Sequence, residues 1–417
     1  MVQVMTDDAR PALSSPSVSA QGRQLRGLTL AAMWTTAVVI AVLTAGAVVA
    51  LWWAATKGLN DADLVKARLD ALKIGLSVGV GSGGVVALYL AWRRQYSTEA
   101  TLAHQQSDAA ATRAHQERVA EDARADAIER RITELYLKAV EQLGSDKAPV
   151  RLGGLYALER LAQDNETQRQ TIVNVFCAYL RMPYDLPLEQ DREEGAGAEQ
   201  CEIYRGRTQE REVRLTAQRL LGDHLKPEHS ATYWGPLDLD LTGAQLIDFT
   251  LNNTRIGTGA FRQATFTGKA VFYRAIFNGG ALFDGAVFSG VTTFYKAIFS
   301  GGAQFDEAVF SGFTVFDETA FADNAWFRKS VFTENAVFNE AVFKRSAMFN
   351  EAIFTGGATF DEASFAGNAV FNDAAFTGTV RFNGTNFCDR SSFEQATLDG
   401  EILAPSFVAS TLKDPDT

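Results

Sequence analysis

Residues Ala297 to Phe316 read AIFSGGAQFDEAVFSGFTVF, with phenylalanine at 299, 305, 310 and 316, at steps of six, five and six. The pattern extends in both directions. From Leu246 to Leu398 a large apolar residue returns every five or six positions without a miss, through Leu251, Ile256, Phe261 and Phe266 and on to Phe387 and Phe393. After Phe266 the steps alternate strictly, six then five. The unit is therefore eleven residues, approximately A-x-F-(D/N)-(E/G)-A-x-F-(S/T)-G-x. Such steps scatter successive rings around a helix of about 3.6 residues per turn, so the period excludes a helix. Two residues before almost every ring stands a small one, as Ala303 before Phe305, Ala336 before Phe338 and Ala352 before Phe354. In extended backbone alternate side chains share a face. The small residue and the ring then point into a narrow tube, the residue between them points out, and the phenylalanines read as core.

Glycine recurs at steps of eleven at Gly268, Gly279, Gly290, Gly301 and Gly312, and again at Gly356, Gly367 and Gly378, which reads as a corner needing freedom at positive φ. Asp323, Glu334 and Arg345 fill the three places between. A small residue, usually Ala, two positions before a central Leu or Phe makes the stretch resemble pentapeptide-repeat proteins. LTGAQLIDFTLNNTRI from Leu241 matches in strict fives, and the rest resembles a spaced variant of the repeat. The resemblance implies a right-handed quadrilateral β-helix, four faces to a coil, about seven coils and a rod ~35 Å long at ~4.8 Å per stacked strand. Its expected extent is 236–404, between Pro236 and Pro405, with a tail at 405–417.

The rest of the 417-residue chain is organised differently, and the fold class is mixed. Residues 1–26 are polar and read as a disordered arm. From Leu28 to Ala55 no charge occurs, long enough to cross a bilayer, with Trp34, Trp52 and Trp53 placed as interfacial aromatics. A second uncharged run, Ile74 to Trp92, ends at Arg93 and Arg94. Together they predict a transmembrane α-helical hairpin within 27–94, spans 28–55 and 74–92. Gly75, Gly79 and Gly83 line one face of the second span, to pack against the first span or to form a homodimer. Ser82-Gly83-Gly84 lacks the Lys-Ser/Thr of a phosphate loop and reads as helix packing.

Residues 95–143 lack Gly and Pro and predict a helical stalk stopped by Gly144. Within 144–235, VRLGGLYALERLAQD from Val150 and ETQRQTIVNVFCAYLRM from Glu166 predict a helical hairpin, and VRLTAQRLLGDHL from Val213 looks like a second helix start. These resemble HEAT or armadillo-type units. Asp185 to Ala198 reads as an acidic linker.

The net charge of −11 argues against direct nucleic-acid binding. Cys177, Cys201 and Cys388 are an odd, scattered set that suits a reducing compartment. With no cleavable signal, that places the chain in the inner (plasma) membrane as a multi-pass protein with its C-terminal domains cytoplasmic. No catalytic, cofactor or metal site is expected. His224 and His229 lack partners at zinc spacing and read as solvated loop residues, and Asp306-Glu307 and Asp361-Glu362 read as solvated corner residues. The expected function is a membrane-anchored scaffold or adaptor whose solenoid binds a protein partner. One alternative comes from the family resemblance, in which acidic members mimic duplex DNA and bind DNA gyrase; here 19 Asp/Glu face 11 Lys/Arg over 237–404. A second alternative is an enzyme or small-ligand binder with a pocket between helical domain and solenoid.

Overall fold

The computed structural model describes residues 30–56, 61–187 and 197–403. The arm, part of the acidic linker and the tail lie outside them. The chain divides into two compact units between Asp122 and Ala123.

In the first unit, α1 (Leu30–Thr56) covers the first uncharged run. Its stretch Ala37–Ala54 is the one helical window among the described residues identified as long and apolar enough to cross a membrane, and none of it is buried. The second run is not a separate element. It forms part of α2 (Asp61–Leu143), which continues without a break through the expected stalk. No proline occurs between Asp61 and Leu143, so nothing removes a helical hydrogen bond, and each glycine alone costs only about 1 kcal/mol. Ser82-Gly83-Gly84 is accordingly helical, not a loop. A Cβ added at Gly75 would overlap the Val48 side chain of α1, so this glycine meets the first helix.

In the second unit the end of α2 packs with α3 (Ala148–Asp164), a 3-10 turn at Glu166–Gln168, α4 (Arg169–Arg181) and α5 (Ala198–His224). Leu155, Leu158 and Ala162 of α3 are buried with Ile172, Phe176 and Leu180 of α4 and Val213, Ala217 and Leu221 of α5. Gly154 lets α3 approach α2 closely, since a Cβ there would sit 2.8 Å from the Ala139 carbonyl oxygen. Val150 does stand at a helix start, but Val213 does not: it is an interior residue of the 27-residue α5. The upstream stretch AEQCEIYRGRTQERE is rich in good helix formers and free of proline, so the helix propagates back to Ala198.

Among the described residues twenty-eight strands follow, forming a β-solenoid of about seven coils with four faces to a coil. β1 (Leu237–Asp240), β2 (Gln245–Thr250), β3 (Arg255–Ala260) and β4 (Thr265–Val271) are long, and the rest, from Ile276–Phe277 to Glu401–Ile402, have two residues each. β3 and β4 each run round a corner. Arg255-Ile256 of β3 pair with Ile276-Phe277, while Gly259-Ala260 pair with Ala281-Leu282. This is why four faces appear as two fourteen-stranded sheets. Beyond them pairing is parallel with a constant offset of 22 residues, as Ala303 with Ala281 and Ala325.

That offset stacks like on like. Phe316, Phe338 and Phe360 lie face to face at 4.8 and 4.9 Å, and neighbouring faces meet edge on, as Phe338 with Phe327 at 5.7 Å. Each buried ring contributes roughly 1.5–3 kcal/mol by burial, and such aromatic pairs about 0.5–1.5 kcal/mol more. Where the small position holds Thr or Ser, the buried hydroxyl donates to a main-chain carbonyl: Thr319 to Phe294 at 2.8 Å, Ser330 to Phe327 at 2.7 Å. Two small positions hold larger residues, Val380 before Phe382 and, with more consequence, Phe249. Phe249, two before Leu251, is fully buried and touches Phe261, Phe266 and Phe272, filling a first coil whose central residues are only Leu and Ile.

The two corner types differ from expectation. The five-residue step turns through a left-handed residue: Lys296, Glu307, Glu318, Lys329, Glu340, Glu351 and Glu362 have φ of 51–59°, and the amide of Ala308 closes one such turn on Phe305 O at 3.1 Å. The recurrent glycines lie at the other, six-residue corner, and of them only Gly268 has positive φ. Their cause is close stacking. A Cβ at Gly301 would lie 2.6 Å from Gly279 O, and one at Gly378 2.7 Å from Gly356 O.

The helices close the N-terminal end. Gln170 Nε2 donates to Asp238 O and its Oε1 accepts from Asp238 N, both at 2.9 Å; Gln218 makes the same reciprocal pair with Ile247 at 2.7 and 3.0 Å. Two glutamine amides thus satisfy main-chain groups of β1 and β2 that would otherwise face an open edge. At the other end Glu401–Ile402 pairs antiparallel with Thr397–Leu398.

Two predictions follow from this packing. Phe338→Asp leaves a charge in the tube and abolishes cooperative unfolding of the solenoid, and Phe338→Ala costs about 3–5 kcal/mol in denaturant titration. Val337→Thr, at an outward position, changes stability by less than about 1 kcal/mol; equal effects at 337 and 338 would contradict the inward register. Glu340→Gly relieves a left-handed residue and raises the thermal midpoint, whereas Gly301→Val lowers it.

Candidate interaction surface

With rings and small residues turned inward, the solenoid's chemistry lies on its corners, where side chains are tied to the neighbouring coil. The Asn339 amide donates to Asp317 Oδ1, the Asp361 amide to Asn339 Oδ1 and the Asn383 amide to Asp361 Oδ1, each at 3.0 Å. Asp306 accepts from the Arg328 amide and Nε, both at 2.9 Å, and Arg381 pairs with Asp361. The first acid of each Asp-Glu pair is therefore half-buried and engaged, not solvated. The second, Glu307 or Glu362, is exposed and forms the left-handed turn.

Charge is uneven along the rod. Residues 237–300 hold 5 Lys/Arg and 4 Asp/Glu, residues 301–403 hold 6 and 15, so the whole acidic excess lies in the later coils. On one tight corner Arg274 and Lys296 lie over Tyr273 and Tyr295, whose rings stack at 5.7 Å. Tyr295 Oη donates to Glu318 at 2.7 Å and Lys296 pairs with Glu318 at 3.2 Å. Glu340 and Glu362 continue that corner as exposed carboxylates one coil apart.

The helical part contains a buried polar cluster that sequence reasoning missed. Arg214 is 1% exposed; it donates to Glu210 at 3.0 Å, Leu180 O at 3.0 Å and Met182 O at 2.6 Å, and lies over the Tyr184 ring. Tyr179 and Arg151 also converge on Glu210. Burial pushes the Tyr184 phenol up to about 12 and the Cys177 thiol likewise to about 12. The Arg214 guanidinium and the Tyr179 hydroxyl have protein acceptors and Arg151 pairs with Glu210, although Arg151 Nε is buried without a partner, so the cluster joins α3, α4 and α5.

The two histidines separate. His229 is exposed. His224, expected as a solvated loop residue, is the last residue of α5 and is buried. Its ring stacks on Trp234 at 3.8 Å, with Nε2 2.8 Å from Glu159 Oε1 and Nδ1 2.7 Å from Thr232 O. Both nitrogens are engaged, and neither is open to a metal. Nothing in the residue spacing announces this, because Glu159 lies 65 positions away. Where a ligand pocket was the alternative, between helices and solenoid, the glutamine pairs and the ion pair of Arg181 with Asp240 hold the two together. An apolar groove of about 560 Å³ lies elsewhere, between α2 and α3, floored by Ile128, Ile132 and Leu161.

A family model described as pentapeptide repeats (9 copies) matches residues 272–319, 294–342, 316–364 and 360–402. No curated protein and no solved structure matches the chain.

Asp317 offers a pH test of the corner ladder. Burial pushes its carboxyl up, opposed by the Asn339 amide and reinforced by Glu340 and Glu318. A raised folded value adds stability below the ordinary carboxylate range, and that contribution is lost as pH rises. Asp317→Asn, which keeps the acceptor oxygen, therefore raises the thermal midpoint at pH 7, and the gain shrinks to nothing below pH 3.8.

Proposed function

We propose, from the premise that this is a pentapeptide-repeat protein, that the chain is a membrane-anchored scaffold or adaptor whose solenoid presents a protein-binding surface without catalysis of its own. One observation carries the reading. Each repeat spends its inward residues on the ring stack and its corner polar groups on the next coil, leaving the variable outward residues free to differ from coil to coil. A rigid rod with an individually specified surface suits recognition of a protein.

For the anchor, support comes from the exposed apolar stretch Ala37–Ala54. A second span at 74–92 is supported by the exposure of Leu76, Val80 and Leu88 and by the seat that Gly75 offers Val48. The exposed Cys201 and Cys388, neither of them in a disulfide, favour a cytoplasmic location for the C-terminal portion. The acidic corner of Glu318, Glu340 and Glu362 favours the second reading, a duplex-DNA mimic acting on DNA gyrase. Lys296 before it and Gly384 after it stand at the equivalent places, which limits the row to three coils.

Fractionation with protease protection tests the anchor, and recovery of the intact chain in the soluble fraction would sink it. Crosslinking in membranes followed by identification of the attached protein tests the scaffold reading, which fails if the chain captures nothing reproducibly. Inhibition of gyrase supercoiling by micromolar chain would replace it with the DNA-mimic reading.

A further inference from the structure

One of the four corners differs in kind from the others. Between the third and fourth faces, the two that carry Phe310 and Phe316, the corner opens in successive coils with Ser289, Ser311, Thr333, Thr355 and Thr377, all exposed. Behind them come Gly or Thr, except at Val291 and Phe313, which protrude, 47% and 43% exposed, and at the exposed pair Glu334-Asn335. The outward residues on both flanks are Val, Ile, Thr or Ala from Val287 to Ala375, and the charges of this strip are Glu334 and, on the flank of the last coil, Arg381. Every other corner carries several charged residues.

We propose that this strip pairs two copies of the chain side by side, a property beyond the scaffold reading and independent of it. Three features select a second copy as the occupant. With a net charge of −11, most of the excess in the later coils, a like copy approaching on the Glu318–Glu340–Glu362 corner brings carboxylate rows together. The strip lets it approach without that repulsion. Its size suits weak, reversible pairing: four paired coils at ~4.8 Å and about seven residues across offer ~400 Å² per copy, so a pair buries ~800 Å², the range of a weak, transient interface. An apolar centre edged by hydroxyls and depleted of charge is also what such interfaces contain.

The relief is self-complementary. Closed two-fold pairing sets the same patch of each copy against the other. Run antiparallel, Val291 of one copy lies over the side-chain-free Gly356-Gly357 of the other, and Phe313 over Asn335. The axis then falls between the coils of Ser311 and Thr333, which places Glu334 opposite Gly312 and away from its own counterpart.

The test uses the full chain in its membrane, with Cys201 and Cys388 replaced by serine and buried Cys177 retained. Single cysteines are placed at Ser311, Thr333, Thr377 and, as a control on the acidic corner, Glu340, and mild thiol oxidation is followed by counting covalent dimer. Cysteines at 311 and 333 are expected to yield at least fivefold more dimer than those at 377 or 340. Adding Phe313→Lys is expected to remove most of the yield at 311, while Glu334→Gln keeps or raises it. Equal or greater yield at 340 or 377, no dimer at any position, or a yield at 311 indifferent to Phe313→Lys overturns the proposal. Unchanged thermal unfolding of the Phe313→Lys chain, whose counterparts Asn335 and Thr379 show the corner accepts polar residues, separates lost pairing from lost folding.

Discussion

The constant offset of 22 residues is the constraint on which the rest depends. A ring gains its stacking partner only if the residue 22 positions later is also a ring, and a strand finds its hydrogen bonds only in that register. Every coil must therefore contain the same number of residues, and the alternation of six and five is how four faces add to that number. Adding one residue to a coil would move later rings from inside to outside, which is why the spacing holds unbroken after Phe266 although the outward residues vary freely.

The solenoid was legible in the sequence because its core is periodic, and periodicity is local information. The two corners were only half legible. Steps of six and five separate them, but the positive φ falls on Glu, Lys and Gln, whose identity signals no such backbone. The neighbouring turn bond and the next coil's carbonyl impose it, as where the Glu307 amide donates to Arg328 O. The glycines advertise flexibility by type, yet most are there because a neighbouring coil's main chain leaves no room. Nothing in the spacing singles out Phe249, since its role as a plug appears only when the smaller first coil is closed over it.

The helical part was least legible, for the same physical reason in reverse. Glu210, Arg214, Arg151 and Tyr179, and His224 with Glu159, are joined across tens of residues by folding, and no repeat echoes the pairing. A Val-Arg-Leu phrase appears twice, but helix propagation through favourable neighbours, not the phrase, decides where α5 begins. For function this split matters: the regular part explains why the surface is rigid, and its irregular outward residues hold the specificity.

Because eleven residues make two faces, half of a coil, the molecule can change length in two distinct ways. Loss or gain of 22 residues leaves every later corner beneath its former neighbours. Loss or gain of eleven also preserves the ring register, yet turns all later coils half-way around the rod. The carboxylate row would then continue on the opposite edge, and the uncharged strip would be cut in two. A chain of this design can thus rewrite its surface wholesale by a single duplication while its core remains unaware of the change.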